Sequence, residues 1–465
     1  MTVHSPSSYR TAVVRAFARG FGLAGLHATA QGTIVRVALV GPDGGLRLES
    51  VAARDGVVPT IIDRAPAAGW DEREAFDLYG VRFRGHEPLR PLVEHVLELA
   101  RWTVPVRGSD PYQVAVGPIH AGVIESGHFR FHLVGDRILH LDTRLFYKHR
   151  GLEQAAEGNS LADGIAFMSR ACAACAVANG VAYAHACEEA LGLQAPEQLA
   201  RARTILLELE RSWNHLNDIA AVCAGVGLAA GNTRFAALTE RLRRLNAELC
   251  GHRFLFGTVG VGGSKFELDG AAVRAARDEL AAVRAEAWSA WRELRFNASF
   301  QDRLPGIGVL DAEDVARLGT VGPAARAAGV AEDARASAHR LAYGDFTPVV
   351  PERAAGDVQA RLEQRALERL PQLELLEALL DRPLRQAAAE PSGPENAIGI
   401  GRVESPRGAT LCVVERTGNR LDRVRLRTGS YANWPSVAHA AVDNLLPDFP
   451  LINKSFELCY ACADR

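Results

Sequence analysis

The sequence has almost no lysine, very little methionine and no excess of either charge. Three of its 53 basic residues are Lys, two residues are Met, and 53 Lys plus Arg stand against 55 Asp plus Glu in 465 residues. A protein that binds phosphate backbones carries a marked basic excess, so we expect no nucleic-acid partner. Hydrophobic residues make up 48% of the chain and charged residues 23%, which excludes disorder as a description of the whole.

Long apolar segments are also missing. In the middle of the chain, the longest run without strongly polar residues is 219–230, shorter than the roughly 18–20 residues that cross a bilayer. The first ten residues contain no apolar stretch of the kind found in signal peptides. We therefore expect a cytoplasmic protein whose attachment to any membrane depends on partner subunits.

The eight cysteines do not form the pattern of a disulfide framework, which is rare in chains without a secretory signal. Four of them stand alone in apolar stretches, where a small buried side chain is the simpler interpretation. These four are Cys187, Cys223, Cys250 and Cys412. The other four form two pairs with the same spacing, Cys172 with Cys175 and Cys459 with Cys462.

The distribution of periodic segments predicts an α+β fold. Residues 1–103 read as a small α/β module, with strands at 33–40 and 57–62 and a helix over 70–80 that ends on a glycine. Residues 104–116 read as a linker, and 117–465 as a mainly helical domain with short strands near its ends. We predict strands at 129–134, 138–141, 410–415 and 423–426, and amphipathic helices over 199–222, 235–256, 271–294 and 351–380. The last helix is highly charged, which favours a position on the surface.

The two cysteine pairs are the strongest chemical signal. A spacing of three places both sulfurs of a pair on one helical face, where two thiolates can bind one metal ion. If the pairs converge, they form a site of four sulfurs, which suits zinc, an iron–sulfur cluster, nickel or copper(I). The alternative is that one pair is buried cysteine and the other belongs to a disordered tail.

Several segments resemble known motifs in the same order along the chain. Residues 72–74 (ERE) and 85–92 (GHEPLRPL) are similar to the signature of the 30-kDa subunit of respiratory complex I. The later segments resemble the large subunit of nickel–iron hydrogenases, in the membrane-bound, complex I-related group typified by formate hydrogenlyase. These segments are 117–120 (GPIH), Glu125 with 127–130 (GHFR), 149–153 (HRGLE), 205–211 (ILLELER), 405–408 (SPRG), 431–435 (YANWP) and 459–465 (CYACADR).

The resemblance implies a nickel–iron (Ni–Fe) centre, with carbon monoxide and cyanide on the iron. Cys172 and Cys459 would be terminal ligands of the nickel, and Cys175 and Cys462 would bridge it to the iron. Cys459 would be the first base for the proton released from H2, and Glu125 matches the carboxylate that relays it.

Arg407 matches an arginine that faces the open side of the metals, where its guanidinium could polarise a bound substrate. His120 and His128 could line the same pocket, although a histidine beside a turn is more often a hydrogen-bonded structural residue.

The same resemblance implies partners. An iron–sulfur small subunit carrying a 4Fe–4S cluster would take the electrons, membrane-arm subunits related to complex I would hold the assembly, and ferredoxin or a formate dehydrogenase module would exchange electrons with it. The chain would lie at the cytoplasmic face of the inner or plasma membrane.

Two alternatives remain open. One is an electron-transfer subunit of the complex I type without nickel, for which four cysteines have no evident use. The other is a structural protein with a zinc site made of four cysteines.

Three features depart from the family pattern. Ala173 and Ala174 stand between the first two cysteines, where relatives usually have Gly followed by Ile or Val. Asn179 stands where most relatives place a histidine, so we expect an altered hydrogen bond to a sulfur. The chain ends at Arg465, where family precursors usually carry an extension that a protease removes, so it is either the mature form or a protein without that step.

Overall fold

The computed structural model of the chain describes residues 3–98, 102–107, 110–120 and 125–465, the side chains of residues 370 and 371 excepted. Within these residues an α/β part at the N-terminus leads into a larger, mainly helical part that contains two three-stranded sheets. The predicted α+β fold class is confirmed. Among the described helices, none has both the length and the apolar character that a bilayer crossing requires.

The N-terminal part is a four-stranded sheet with the strand order β1-β4-β3-β2, packed against two helices. Its elements are β1 (Val3–His4), α1 (Pro6–Ala18), β2 (Gly22–Ala28), β3 (Ile34–Val40), β4 (Leu46–Ala52), the short parallel pair β5 (Val57–Pro59) and β6 (Arg82–Arg84), and α2 (Gly69–Tyr79). The alternating side chains of β3 bury Val35, Val37 and Leu39 completely in the core of this module. Gly80 ends α2 with a positive φ of 70°, as the sequence predicts.

An antiparallel meander follows, made of β7 (Tyr112–Val116), β8 (His128–Val134) and β9 (Arg137–Arg144). The strands predicted at 129–134 and 138–141 lie within β8 and β9. The last five residues of the predicted linker at 104–116 form β7, because their backbone groups pair with β8.

Helices build most of the remaining chain. They are α3 (Leu152–Ala156), α4 (Leu161–Ser169), α5 (Ala176–Ala190), α6 (Glu197–Gly225), α7 (Ala229–Cys250), α8 (Gly270–Arg295), α9 (Ala298–Gln301), α10 (Ala312–Leu318), α11 (Pro323–Arg326), α12 (Val358–Leu379), α13 (Gly429–Ala440), α14 (Phe449–Phe456) and α15 (Tyr460–Asp464). The 29-residue α6 lies at the centre and packs against α7, α12 and α14. Two short antiparallel strand pairs complete this part: β11 (Val259–Gly260) with β12 (Gly263–Ser264), and β10 (Leu193–Gln194) with β13 (Glu390–Pro391), which is distant in sequence.

The surface position predicted for the charged helix over 351–380 is wrong. In α12 the side chains of Arg361, Arg365 and Glu368 are no more than 2% exposed. They are accommodated because other elements supply their partners: the Glu368 carboxylate accepts a hydrogen bond from Arg326 at 2.8 Å, and Arg365 donates to Asp218 at 2.8 Å.

The C-terminal sheet consists of β14 (Ile398–Ser405), β15 (Gly408–Thr417) and β16 (Arg420–Arg427) in antiparallel order, and it includes both strands predicted there. Helix α5 packs directly on β14. A Cβ atom at Gly399 or Gly401 would lie 2.0–2.1 Å from carbonyl oxygens of α5, so only glycine permits this approach.

Candidate metal centre

The first cysteine pair lies in a turn between two helices rather than on the helical face that the spacing suggested. Helix α4 ends at Ser169, and Cys175 is the residue that precedes α5. Within this turn the N–H of Cys175 donates to the Sγ of Cys172 at 3.2 Å. The turn itself, and not helical periodicity, therefore brings the two residues together.

The second pair is built by a turn of the same kind. Glu457 adopts a left-handed conformation with φ 50° and ends α14, after which Cys459 caps α15. The Sγ of Cys459 accepts the N–H of Cys462 at 3.4 Å. The N–H of Cys459 donates to the Oγ of Ser430 at 3.1 Å, which ties the turn to α13.

The two turns, 290 positions apart in sequence, meet in space. The sulfurs of Cys172 and Cys462 lie 2.9 Å apart, and those of Cys172, Cys459 and Cys462 all lie within 4.8 Å of one another. Cys175 belongs to the same buried cluster, whereas Cys459 is partly exposed. In the part of the chain that the structure describes, no other group of three or more His, Cys, Asp or Glu side chains has such a geometry.

The four thiols differ strongly in acidity. Hydrogen bonds with Cys172 and Cys462 hold the pKa of Cys175 and of Cys459 well below the usual range of a thiol. Hydrogen bonds with the other three sulfurs, together with burial, raise the pKa of Cys172 well above it. For Cys462 the contact with Cys172 lowers the pKa, but the contacts with the other two sulfurs and burial outweigh it. Two thiolates thus form readily, and thiolates are the form that binds metal ions.

Arg407 places a fixed positive charge beside these sulfurs. Both of its terminal nitrogens donate to the Asp218 carboxylate, one of them at 2.8 Å, and a third hydrogen bond reaches the Oδ1 of Asn214 at 3.3 Å. Burial acts to lower the pKa of this guanidinium, but the charges of Asp218 and Cys175 raise it above its usual value. The side chain therefore stays charged and fixed in orientation.

A row of polar residues on α6 supports the first turn, and sequence reasoning did not single it out. The carboxylate of Glu210 accepts the N–H groups of Val177 and Ala178 at 2.7 and 3.1 Å, at the start of α5. Asn214 donates to the carbonyl of Ala174 at 2.8 Å, between the two cysteines. With Asp218 these residues recur every four positions, and this spacing on a buried helix is the signal that could have revealed them.

Glu125, which the resemblance gave as a proton-relay carboxylate, lies at the second turn. Its Oε2 accepts the N–H of Ala461 at 2.9 Å, between the two cysteines of that pair. Its Oε1 is 3.8 Å from the Nζ of Lys148, and the side chain is 38% exposed. A carboxylate in this position can exchange protons with solvent while it contacts the cysteine turn.

Asn179 donates a hydrogen bond to a sulfur through its side-chain amide. Most relatives have a histidine at this position. The residue is fully buried in α5, and its Nδ2 donates to the Sγ of Cys462 at 3.7 Å. Its Oδ1 accepts no hydrogen bond from the described residues. The amide thus makes a contact to the sulfur and leaves an acceptor unsatisfied.

His120 and His128 contact backbone carbonyls of described residues near Glu125. The Nε2 of His120 lies 2.7 Å from the carbonyl oxygen of Gly127, and the Nδ1 of His128 lies 3.2 Å from that of Gly117. Burial lowers the pKa of His128. Both rings thus make backbone hydrogen bonds of the kind that structural histidines beside turns usually make.

The donor set fits a soft metal ion or cluster. Sulfur ligands converge from two turns, two of the four thiols have a lowered pKa, and a charged guanidinium lies beside them. Thiolates prefer nickel, zinc, copper(I) and iron–sulfur clusters. Of the four cysteines, Cys459 is the one that is partly exposed.

Comparisons with known proteins agree with this architecture. Residues 32–113 match the family described as the 30-kDa subunit of respiratory-chain NADH dehydrogenase, and residues 226–394 match that of its 49-kDa subunit. Formate hydrogenlyase subunit 5 of Escherichia coli (strain K12) is 31% identical over 88% of this chain and 77% of its own length. An NADH-quinone oxidoreductase subunit of Salinispora arenicola (strain CNS-205) is 30% identical over 72% of this chain and 88% of its own length.

A solved structure shares the fold. A chain of the membrane-bound sulfane sulfur reductase, an archaeal respiratory membrane complex, superimposes with a TM-score of 0.69 and is 28% identical, covering 77% of this chain and 99% of its own. The motifs, the fused modules and these likenesses lead to one assignment. The chain belongs to the family of membrane-bound, complex I-related hydrogenase large subunits, in which a 30-kDa-type and a 49-kDa-type module are joined.

Proposed function

We propose that this chain is the catalytic large subunit of a membrane-associated nickel–iron hydrogenase, which interconverts H2 with protons and electrons. The observation that carries the proposal is the buried cluster of four cysteines, in which the sulfurs of Cys172, Cys459 and Cys462 lie within 4.8 Å of one another, beside the buried guanidinium of Arg407. A purely structural metal site has no need of a fixed charge beside it. The similarity to formate hydrogenlyase subunit 5 supports the same conclusion.

Four cysteines would hold the Ni–Fe centre. Cys172 and Cys459 would be terminal ligands, and Cys175 and Cys462 would be bridges between nickel and iron. When bound, the centre supplies heterolytic cleavage of H2 and its reverse. The hydrogen bond from the N–H of Cys462 to the Sγ of Cys459 would stabilise the thiolate form of that ligand, and the N–H of Cys175 makes the corresponding hydrogen bond to Cys172.

The residues around the cysteines would handle the proton and orient the substrate. The Sγ of Cys459 would accept the first proton, and Cys459 is the one cysteine of the four that is partly exposed. Glu125, in contact with the same turn through Ala461, would pass it to solvent from its exposed side. Arg407, held rigid by Asp218, would polarise H2 on the open face.

The proposal extends to organisation and partners. Residues 1–103 would be the 30-kDa-type docking module and 117–465 the hydrogenase domain, joined by 104–116. An iron–sulfur subunit with a 4Fe–4S cluster would receive the electrons, because an electron acceptor must lie close to the nickel. Membrane-arm subunits related to complex I would attach the chain to the cytoplasmic face of the membrane, with ferredoxin or a formate dehydrogenase module as electron partner.

A second candidate is an electron-transfer subunit of the complex I type that works without nickel. The similarity to the NADH-quinone oxidoreductase subunit of Salinispora arenicola favours it, as do Ala173, Ala174 and Asn179, which depart from the hydrogenase pattern. Retention of all four cysteines argues against it, since a nickel-free electron-transfer subunit has no use for four thiols gathered in one cluster.

Metal content separates these candidates. The full chain is purified together with its own maturation proteins and partner subunits, and its metals are measured by plasma mass spectrometry, with infrared spectra for carbon monoxide and cyanide. We expect about one nickel per chain, because four cysteines make one centre, together with infrared bands of both ligands. Zinc alone would indicate a structural site, and a chain without metal would favour the electron-transfer subunit.

Cys462→Ser tests the ligand assignment. Serine removes a sulfur from the centre of the cluster, so we expect nickel to be lost while the helical circular dichroism signal is retained. Cys223→Ser is the matched control, since Cys223 is a buried thiol away from the cluster, with a pKa that burial raises to about 12. Nickel retained in Cys462→Ser at the level of Cys223→Ser would refute the assignment.

A further inference from the structure

A buried cluster of charges joins the N-terminal module to the end of the chain. Asp71 and Glu74 of α2 contribute acidic groups from the module, and α3 contributes Glu153. We call the whole group the interface cluster. Its members are Asp71, Glu74, Glu153, Glu157, Arg423, Arg425, Arg427 and Arg465.

Glu74 connects the N-terminal module to Arg465. Its Oε2 accepts a hydrogen bond from the Nη2 of Arg465 at 2.7 Å, and its Oε1 accepts one from Arg425. Arg465 is 2% exposed, and its guanidinium also donates to the carbonyl of Leu426 at 2.7 Å and lies 4.7 Å from the ring centre of Tyr431. The guanidinium is therefore enclosed by the protein.

Arg465 is three residues from Cys462 and belongs to the same turn. Its N–H donates to the carbonyl of Ala461 at 3.0 Å, and its own carbonyl accepts the N–H of Arg150 at 2.8 Å. The Arg150 guanidinium then reaches the carbonyl of Ala171, beside Cys172, at 2.6 Å and that of Ala461 at 3.4 Å. The two cysteine turns are therefore tied to each other by Arg150 and to the N-terminal module by Arg465.

The charge balance of the interface cluster depends on the module. Four guanidinium groups face four carboxylates, two of which come from α2. Without Glu74, Glu153 would be the one acidic partner of Arg465 within the interface cluster. The nearest oxygen of Glu153 lies 3.6 Å from the Nε of Arg465. Loss of one partner from a buried pair is costly because the remaining charge stays out of water.

We propose that Glu74 is a positioning residue for the metal centre. Through Arg465 it holds the short helix α15, which carries Cys462, so that docking of the N-terminal module completes the cysteine site. The identity of the metal in this inference rests on the proposed function, whereas the positioning of α15 does not.

Glu74→Gln in the full chain, purified with its maturation proteins and partner subunits, tests the inference. We expect nickel affinity to fall by about 10–100-fold, the usual effect of losing a residue that orients a ligand. Amide hydrogen exchange over 456–465 should become roughly tenfold faster while the rest of the chain is unchanged. Infrared bands of any remaining carbon monoxide and cyanide should shift, which a general loss of stability would not cause.

Glu49→Gln is the matched control. Glu49 is a buried carboxylate in the same module, but it pairs with His4 and Arg47 inside the module. We expect it to leave both nickel and exchange over 456–465 at the level of the unmodified chain. Equal behaviour of Glu74→Gln and Glu49→Gln in both measurements would overturn the inference.

The double variant Glu74→Gln with Arg465→Gln checks the cause. It removes both members of the link, so exchange over 456–465 should be at least as fast as in Glu74→Gln alone, because Glu74 acts on α15 through Arg465. A return to the level of the unmodified chain would overturn the inference, since α15 would then be held without the link. A chain that never contains nickel would refute the proposed function, and faster exchange of its α15 in Glu74→Gln than in Glu49→Gln would leave the positioning role intact.

Discussion

At the scale of single residues, the two polar atoms of the Asn179 side chain have opposite effects. Its Nδ2 donates to the Sγ of Cys462, while its buried Oδ1 has no partner among the described residues. A buried acceptor without a hydrogen bond costs about 1–3 kcal/mol. The residue thus supports a cysteine ligand at some expense of fold stability, which is a pattern expected at functional sites.

Asn179→Leu should separate these two effects. Leucine removes the unsatisfied oxygen and keeps the branched shape of asparagine, but its two methyl groups are larger, so the free energy of unfolding of the metal-free chain should change by no more than about 1 kcal/mol. Loss of the donor to Cys462 should lower nickel affinity by about tenfold. Urea unfolding and competition with a chelator measure the two quantities. A variant that loses stability and keeps its nickel affinity would contradict the argument.

The role or burial of a residue can be predicted from the sequence when the features that mark it lie nearby in the chain. The four cysteines, Glu125 and Arg407 are recognisable because short local motifs surround them. The burial of Arg365 and Glu368 is not, because their partners Asp218 and Arg326 belong to other helices, and nothing in the local pattern of α12 indicates them. Charge alternation looks the same on a solvated helix and on one whose charges are neutralised by distant segments.

At the scale of elements, most helices and strands that periodicity predicted agree with the structure to within a few residues, but other elements, such as α1, β2 and β4, were not predicted. Periodicity failed at Cys172 and Cys175, where the spacing of three was assigned to a helical face. A spacing of three also suits a turn in which an N–H donates to the first sulfur, and the sequence alone does not distinguish the two geometries. Helix α5 begins at Ala176, one residue after the second cysteine of the pair, because Cys175 is its N-cap.

The contact between α5 and β14 is a second element-scale feature that bears on the site, since the first cysteine pair immediately precedes α5. Gly401→Ala would place a Cβ 2.1 Å from the carbonyl of Ala182, so either α5 or the strand must move. We expect a loss of about 1–3 kcal/mol in the free energy of unfolding, the usual cost of overpacking. Urea denaturation measures it.

Gly393→Ala is the control for this comparison, because a Cβ there has no atom within 4 Å. It should change the free energy of unfolding by less than about 0.5 kcal/mol, as substitutions on the surface usually do. Equal stability of the two alanine variants would mean that α5 and β14 are not as closely packed as described.

At the scale of the whole molecule, the two modules share more than the interface cluster. Ala38 of the N-terminal sheet packs with Ile400 and Leu411 of the C-terminal sheet in one buried apolar cluster. Beside it, Arg36 donates to both oxygens of Glu415 at 2.8 Å. Apolar burial gives such a contact its strength, while the ion pair fixes its register and makes it sensitive to pH.

Glu415 therefore predicts how acid weakens the contact between the modules. Burial acts to raise its pKa, but hydrogen bonds with Arg36 and His27 lower it to about 2, whereas the carboxyl group of an unfolded chain titrates near 4.5. Because the folded pKa is the lower one, this carboxylate stabilises the fold above pH 4.5 and loses that contribution as pH falls toward 2. The full contribution is on the order of 3 kcal/mol. Burial lowers the pKa of His27. This histidine therefore adds a smaller loss of stability, which begins as pH falls below 6.5.

Glu415→Gln should lower the free energy of unfolding at pH 6 and make its decline between pH 4.5 and pH 3.5 less steep, because one proton-linked group is gone. Urea unfolding at several pH values in this range gives both quantities. Glu313→Gln, on an exposed side chain, should leave the pH dependence unchanged. If Glu415→Gln and the unmodified chain lose stability with the same slope, the ion pair with Arg36 contributes nothing to module docking. The apolar cluster around Ala38 would then hold the modules together by itself, and acid would act elsewhere in the molecule.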